Sequence, residues 1–180
     1  MVKWLKLVGL GIVAAIGYGI ALDNVTARIC VEYFTIGHAP IFKTESPTIL
    51  AFGWGVLATW WVGLGLGIFL ACVARWGTRP RLVATDLLRP LAILLATMGV
   101  LSILAGLSGF LAARQGWIFL VGSLARDVPI EKHQAFLADL WAHLMAYGSA
   151  FLGGMVLAIW VTFRRVQLAR VSPSSASMKA

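Results

Sequence analysis

The chain has 180 residues, of which 60% are hydrophobic and only 12% charged, with a mean hydropathy of +0.88. A soluble domain is about 45–50% apolar and about 25% charged, so this composition excludes an ordinary water-soluble globule and an intrinsically disordered chain alike. In a soluble protein the formal net charge of +8 would suggest a nucleic-acid partner; in a chain this apolar it is a topology signal, and no nucleic acid is expected.

Four stretches lack Asp, Glu, Lys and Arg over membrane-spanning length: residues 7–22, 46–74, 90–113 and 140–163, which are 16, 29, 24 and 24 residues long. A spanning helix needs about 20 mostly apolar residues. The first run extends back through Trp4 and Leu5, with Lys6 snorkelling. Lys3, Lys6 and the small-x-small Gly19-Ile20-Ala21 resemble a secretion signal, and the segment reads as a retained signal anchor. Ser46-Pro47 opens the second span, with serine at the cap and proline at the first helical position. Gly77 and Pro80 stop it. A fifth charge-free run, 115–125, is too short to span and reads as an interfacial or re-entrant segment anchored by Trp117. Pro129 opens the fourth helix well before its apolar part, so that helix projects several turns beyond the bilayer.

The expected fold is all-α: an integral membrane four-helix bundle with spans at about 4–22, 47–75, 88–113 and 137–163. It forms one domain over residues 1–170, followed by a disordered tail at 171–180 rich in Ser and Ala. Gly63/Gly67, Ser102/Gly106 and Ser149/Gly153 are small-xxx-small pairs of the kind that lets helices approach closely in lipid, and they are candidate faces for membrane-protein partners.

With four spans, ten Lys and Arg fall on the side of the termini and five on the other. The positive-inside rule then places both termini in the cytoplasm, and the Ala, Gly, Leu and Arg bias suits a bacterial inner membrane. The outer side carries Asp23, Glu32, Glu45, Asp127, Glu131 and Asp139, together with His38, His133 and His143. Cys30 and Cys72 fall on opposite sides and form no disulfide framework.

Polar chemistry is therefore expected on the outer face. Asp139 and His143 are four apart on one helix face. His143 precedes Arg164 by 21 residues, about 31 Å along the axis and close to the bilayer thickness. Glu32 and His38 lie in the loop that follows the first span. Glu32, His38, Asp139 and His143 together make a candidate two-His, two-carboxylate set for Zn, Fe, Mn or Cu, with His133 and Glu131 as candidate outer-shell groups. The chain has no HExxH, paired ExxH, Walker A, GxGxxG or GxSxG motif. It lacks the Asn-x-x-Asp surroundings of lipoprotein signal peptidases and the loop cysteines of claudins. No ionisable residue is expected in the middle of a span, which disfavours transport. Trp60 and Trp61 read as lipid-facing or packing bulk.

Two functions are expected from these features. The leading expectation is a non-catalytic accessory or scaffold subunit of a larger membrane complex. The alternative is a protein with a metal-binding or metal-dependent site on its outer face.

Overall fold

The computed structural model describes residues 1–171; the tail expected to be disordered lies outside the described residues except for Val171. The described chain is helical throughout, without strands. Its principal helices are α1 (Val2–Ile29), α2 (Val31–Thr35), α3 (Pro47–Leu57), α4 (Trp60–Arg75), α5 (Ala84–Arg114), α6 (Gly122–Asp127) and α7 (His133–Val171), with a 3-10 turn at Ile130–Lys132. Four helical segments are long and apolar enough to cross a membrane: Val2–Ile29, Pro47–Arg75, Ala84–Arg114 and Ile130–Val171. The protein is a membrane-type four-helix bundle.

The first helix outruns its charge-free core by two turns. It continues through Asp23 to Ile29, because the polar residues there bond back to the helix. Asn24 Nδ2 donates to the Ile20 carbonyl at 2.8 Å, Thr26 Oγ1 to the Leu22 carbonyl at 3.2 Å, and Arg28 Nη1 to the Asn24 carbonyl at 2.6 Å. Asp23 therefore stands on a helix rather than in the loop to which its charge assigned it.

The second span is broken at Ala58-Thr59. The Thr59 hydroxyl donates to the Gly55 carbonyl one turn back, a local bond of the kind that bends helices. Ser46 occupies the cap position before Pro47, although its side chain makes no capping bond. Past α5 the chain reverses through Gly116 (φ +74°). Trp117 N–H donates to the Ala112 carbonyl and Gly116 N–H to the Ala113 carbonyl, both at 3.0 Å, the Schellman pattern that needs a left-handed glycine. The following segment exposes Trp117, Phe119 and Val121 while Leu120 is buried.

The bundle is two antiparallel hairpins. In one, α1 packs on α3 and α4; in the other, α5 packs on α7; α4 against α7 joins them. The small-residue pairs hold these contacts from within. A Cβ on Gly63 would meet the Gly11 carbonyl at 2.6 Å, and one on Gly67 the Val8 carbonyl at 2.9 Å. Gly106 faces Ala138 and Ala142, and Gly153 faces Leu94. Ser102 is fully buried and hydrogen-bonds Tyr18 across the hairpins at 2.9 Å. Ser149 is buried and donates to the Met145 carbonyl at 2.6 Å. The faces expected to meet partners are thus engaged inside the chain. Trp60 and Trp61 stand on the exposed exterior.

The two ends of the bundle differ. At one end Arg165, only 6% exposed, reaches from α7 across the end of α4. Its guanidinium donates to the carbonyls of Val73 (2.5 Å), Trp76 (2.6 Å), Arg79 (3.2 Å) and Pro80 (2.9 Å). These include carbonyls of the last helical turn, which have no acceptor role left within the helix. At the other end lies a core of Cys30, Tyr33, Phe34, Leu50, Trp54 and Phe136, which seats α2 against α3 and α7. Gly37 allows that approach, since a Cβ there would meet Phe136 Cζ at 2.9 Å.

Candidate functional site

The polar end is assembled from three segments. α1 supplies Asp23 and Thr26, α7 supplies Asp139 and His143, and the stretch around α2 supplies Cys30, Glu32, Tyr33 and His38. Asp23 and Asp139 are 5% and 1% exposed, which is unusual for carboxylates without a cationic partner.

His143 pairs across the bundle rather than along its own helix. Its Nε2 lies 3.1 Å from Thr26 Oγ1 and 3.8 Å from Asp23 Oδ1. The single Thr26 hydroxyl proton is donated to the Leu22 carbonyl, so the hydroxyl oxygen accepts from His143, and Nε2 carries the proton. Nδ1 of the neutral ring is then a free acceptor. His38 takes the opposite tautomer. Its Nδ1 lies 2.8 Å from the Tyr33 carbonyl, which can only accept, leaving Nε2 as the acceptor. Among the described residues neither acceptor nitrogen has a hydrogen-bond partner.

Three further rings pack around these two imidazoles. Tyr33 lies 4.7 Å from His143 and 5.0 Å from His38 between centroids; Phe34 stacks on His38 at 5.8 Å; His38 lies 4.5 Å from Trp54. Burial, with Tyr147, Asp139 and Asp23 adding negative charge nearby, holds the Tyr33 phenol protonated well above its ordinary range.

The four residues expected to form a metal set do not close into one. Glu32 turns aside: its Oε2 accepts from Cys30 Sγ at 3.3 Å, and its Oε1 pairs with Lys132 Nζ at 3.6 Å. Burial, with the charges of Glu32 and Asp139 acting in the same direction, pushes the Cys30 thiol up to about 12. Among the described residues neither oxygen of Asp139 has a hydrogen-bond partner, and Asp23 and Glu32 lie within electrostatic reach of it. His133 Nε2 donates to the Val128 carbonyl at 3.0 Å, a local turn contact, and Glu131 is exposed. Among the described residues no three His, Cys, Asp or Glu side chains converge as a metal-ligand group. What the structure does bring together is His38 and His143, with Asp23 and Tyr33 added. Sequence reasoning missed those two because Asp23 ended the charge-free run and Tyr33 belongs to no motif or spacing that marks a site.

This polar end opens into a cleft between the hairpins. The cleft encloses a cavity of about 120 Å³ between the hairpins. Asp23, Tyr33, His38, Trp54 and His143 line its head. Below them α1 contributes Tyr18, Ala15 and Gly11, and α7 contributes Ala146, Ala150 and Gly154, one face of each helix. From Asp23 to Gly11 the wall is roughly 18 Å long at 1.5 Å per residue. Among the described residues no Lys or Arg lines the cleft.

Comparison with known protein families, with characterised proteins and with solved structures finds no match for this chain.

Proposed function

We propose that this chain is a small polytopic membrane protein that binds an amphipathic, lipid-like molecule between its two hairpins. The observation that carries this reading is the continuity of one cleft, polar at the head and apolar along its length. A polar head would rest against Asp23, His38 and His143, and an aliphatic tail would follow the small-residue faces of α1 and α7. Ala15 of α1 and Ala146 and Ala150 of α7 are the small side chains along that wall, while Gly11 and Gly154 are closed by contacts with Gly63 and Leu66. In this reading residues 1–170 are one domain, both termini are cytoplasmic by the charge bias, and the polar end faces outward from a bacterial inner membrane.

A second reading is a transition-metal site (Zn, Fe, Mn or Cu) on Glu32, His38, Asp139 and His143. Two observations favour it: the free imidazole acceptors and the unpartnered Asp139 oxygens. It requires Glu32 to leave Lys132. A role as an accessory or scaffold subunit draws on the wide apolar exterior, which suits lipid and partner helices alike. The small-residue faces no longer argue for it, since they pack internally.

The test is organic extraction and mass spectrometry of protein purified in mild detergent. The wild type retains an amphiphile near one per chain, and Ala150→Trp, which fills the cleft, loses it. Equal extracts from both proteins contradict the proposal.

A further inference from the structure

Given that the cleft is a ligand site, which is the proposed function itself, three features of its head narrow the occupant. The first is charge. Among the described residues the lining holds Asp23 and no Lys or Arg, so a phosphate or carboxylate head would sit uncompensated in a low-dielectric site. The head is therefore not an anion.

The second is hydrogen-bond polarity. His143 commits its proton to Thr26, with Asp23 Oδ1 3.8 Å away, and His38 commits its proton to the Tyr33 carbonyl. What each imidazole has left is an acceptor lone pair, and the Asp23 carboxyl adds acceptor oxygens. A head that only accepts hydrogen bonds would leave these groups unpaired, whereas one that donates two would satisfy both rings.

The third is flatness. Tyr33, Phe34, His38, Trp54 and His143 surround the head with neighbouring centroids 4.5–5.8 Å apart. Such a wall offers faces and edges to a planar ring and little to a branched or flexible polar group. Below it the apolar wall of roughly 18 Å suits a long hydrocarbon tail.

From these features together we infer that the cleft binds a hydroquinone carrying a long aliphatic tail, the two ring hydroxyls donating to His38 Nε2 and His143 Nδ1. No electron transfer is implied: the chain binds the reduced, hydrogen-bond-donating form and discriminates against a head that lacks donors.

The experiment uses the full chain in lipid nanodiscs under anaerobic conditions, with tryptophan quenching as the readout and Trp54→Phe to identify the local signal. Four probes share a ten-carbon tail: decylhydroquinone, its dimethyl ether, decanol and decyl phosphate. Decylhydroquinone binds saturably, about tenfold or more tighter than the ether, as expected when one or two charge-free hydrogen bonds are lost. Decanol and decyl phosphate bind more weakly still. His143→Gln, which keeps a donor for Thr26, weakens decylhydroquinone about tenfold and leaves the ether unchanged. Ala150→Leu weakens hydroquinone and ether alike. Thermal unfolding confirms that both variants are folded. Saturable binding of the ether or decanol as tight as the hydroquinone overturns this inference while leaving the cleft a ligand site. Absence of saturable binding by every probe overturns both.

Discussion

Asp23 of α1 and His143 of α7 lie 3.8 Å apart, with Thr26 bridging the same imidazole nitrogen at 3.1 Å. This contact ties the first helix to the last at the polar end. Thr26→Val removes the acceptor and leaves the His143 N–H less well paired, and we expect a loss of about 1–2 kcal/mol. Reversible unfolding of wild type, Thr26→Val, His143→Phe and the double variant closes a double-mutant cycle. A coupling of at least about 0.5 kcal/mol is the expected result.

Arg165 joins the helices at the opposite end. Its guanidinium serves four backbone carbonyls while almost fully buried. Arg165→Met should cost about 3 kcal/mol or more, since the carbonyls lose charged donors together. Arg165→Lys should recover only part of this, because an ammonium cannot span the same fork. Its exposed neighbour Arg164 makes the control: Arg164→Ala should stay within about 0.5 kcal/mol.

The small-residue faces give a prediction about concentration. Gly63→Leu drives a side chain into the backbone of α1 around Gly11 and Ile12. Overpacking of this kind typically costs about 1–3 kcal/mol and more against backbone. The loss should be independent of protein concentration in detergent. A concentration-dependent loss would place the face at an interface between chains.

Cys30 provides a pH test. Its thiol rises from an ordinary 9.0 to about 12 in the folded chain. The fold therefore holds a proton that the unfolded chain releases. This contribution to stability is fully present below about pH 9 and is lost as pH rises toward 12. Wild type should lose stability more steeply than Cys30→Ala between pH 9 and 11, and maleimide should label the folded thiol slowly at pH 8.

Metal content separates the two site readings. Purified protein should carry substoichiometric Zn, Fe, Mn and Cu, and chelation should leave both its unfolding midpoint and its extractable amphiphile unchanged. Stoichiometric metal lost in both His143→Ala and Asp139→Ala would favour the metal set instead.

The four long helices were legible because hydrophobic length and snorkelling charges are local properties of the chain. The site was legible only in part. His38 and His143 were identified as polar groups of one end, and they do share one aromatic enclosure. Their working partners were not identified. Asp23 and Thr26 looked like loop because a charge marks the end of an apolar run, whereas side chains that bond back to their own helix carried α1 on to Ile29. Asp139 was paired with His143 by spacing, yet His143 turns to another helix. Glu32 was read as a ligand, but it bonds Cys30 and Lys132. Such choices depend on which helices meet, and nothing in the spacing along one chain encodes that. The cleft itself was invisible for the same reason: its walls come from residues on separate helices, among them Tyr18 of α1, Leu66 of α4, Leu94 of α5 and Ala150 of α7.

Photo-crosslinking tests the central claim most directly. A long-chain alcohol with a diazirine in its tail is bound to the full chain in nanodiscs, irradiated, and mapped by peptide mass spectrometry. Labelling concentrated on the cleft-lining Ala15, Tyr18, Ala150 and Gly154 and suppressed by Ala150→Trp is the predicted result. Labelling spread instead over the exposed Phe151, Leu152 and Val156 of the same helix, and unaffected by that substitution, would contradict it.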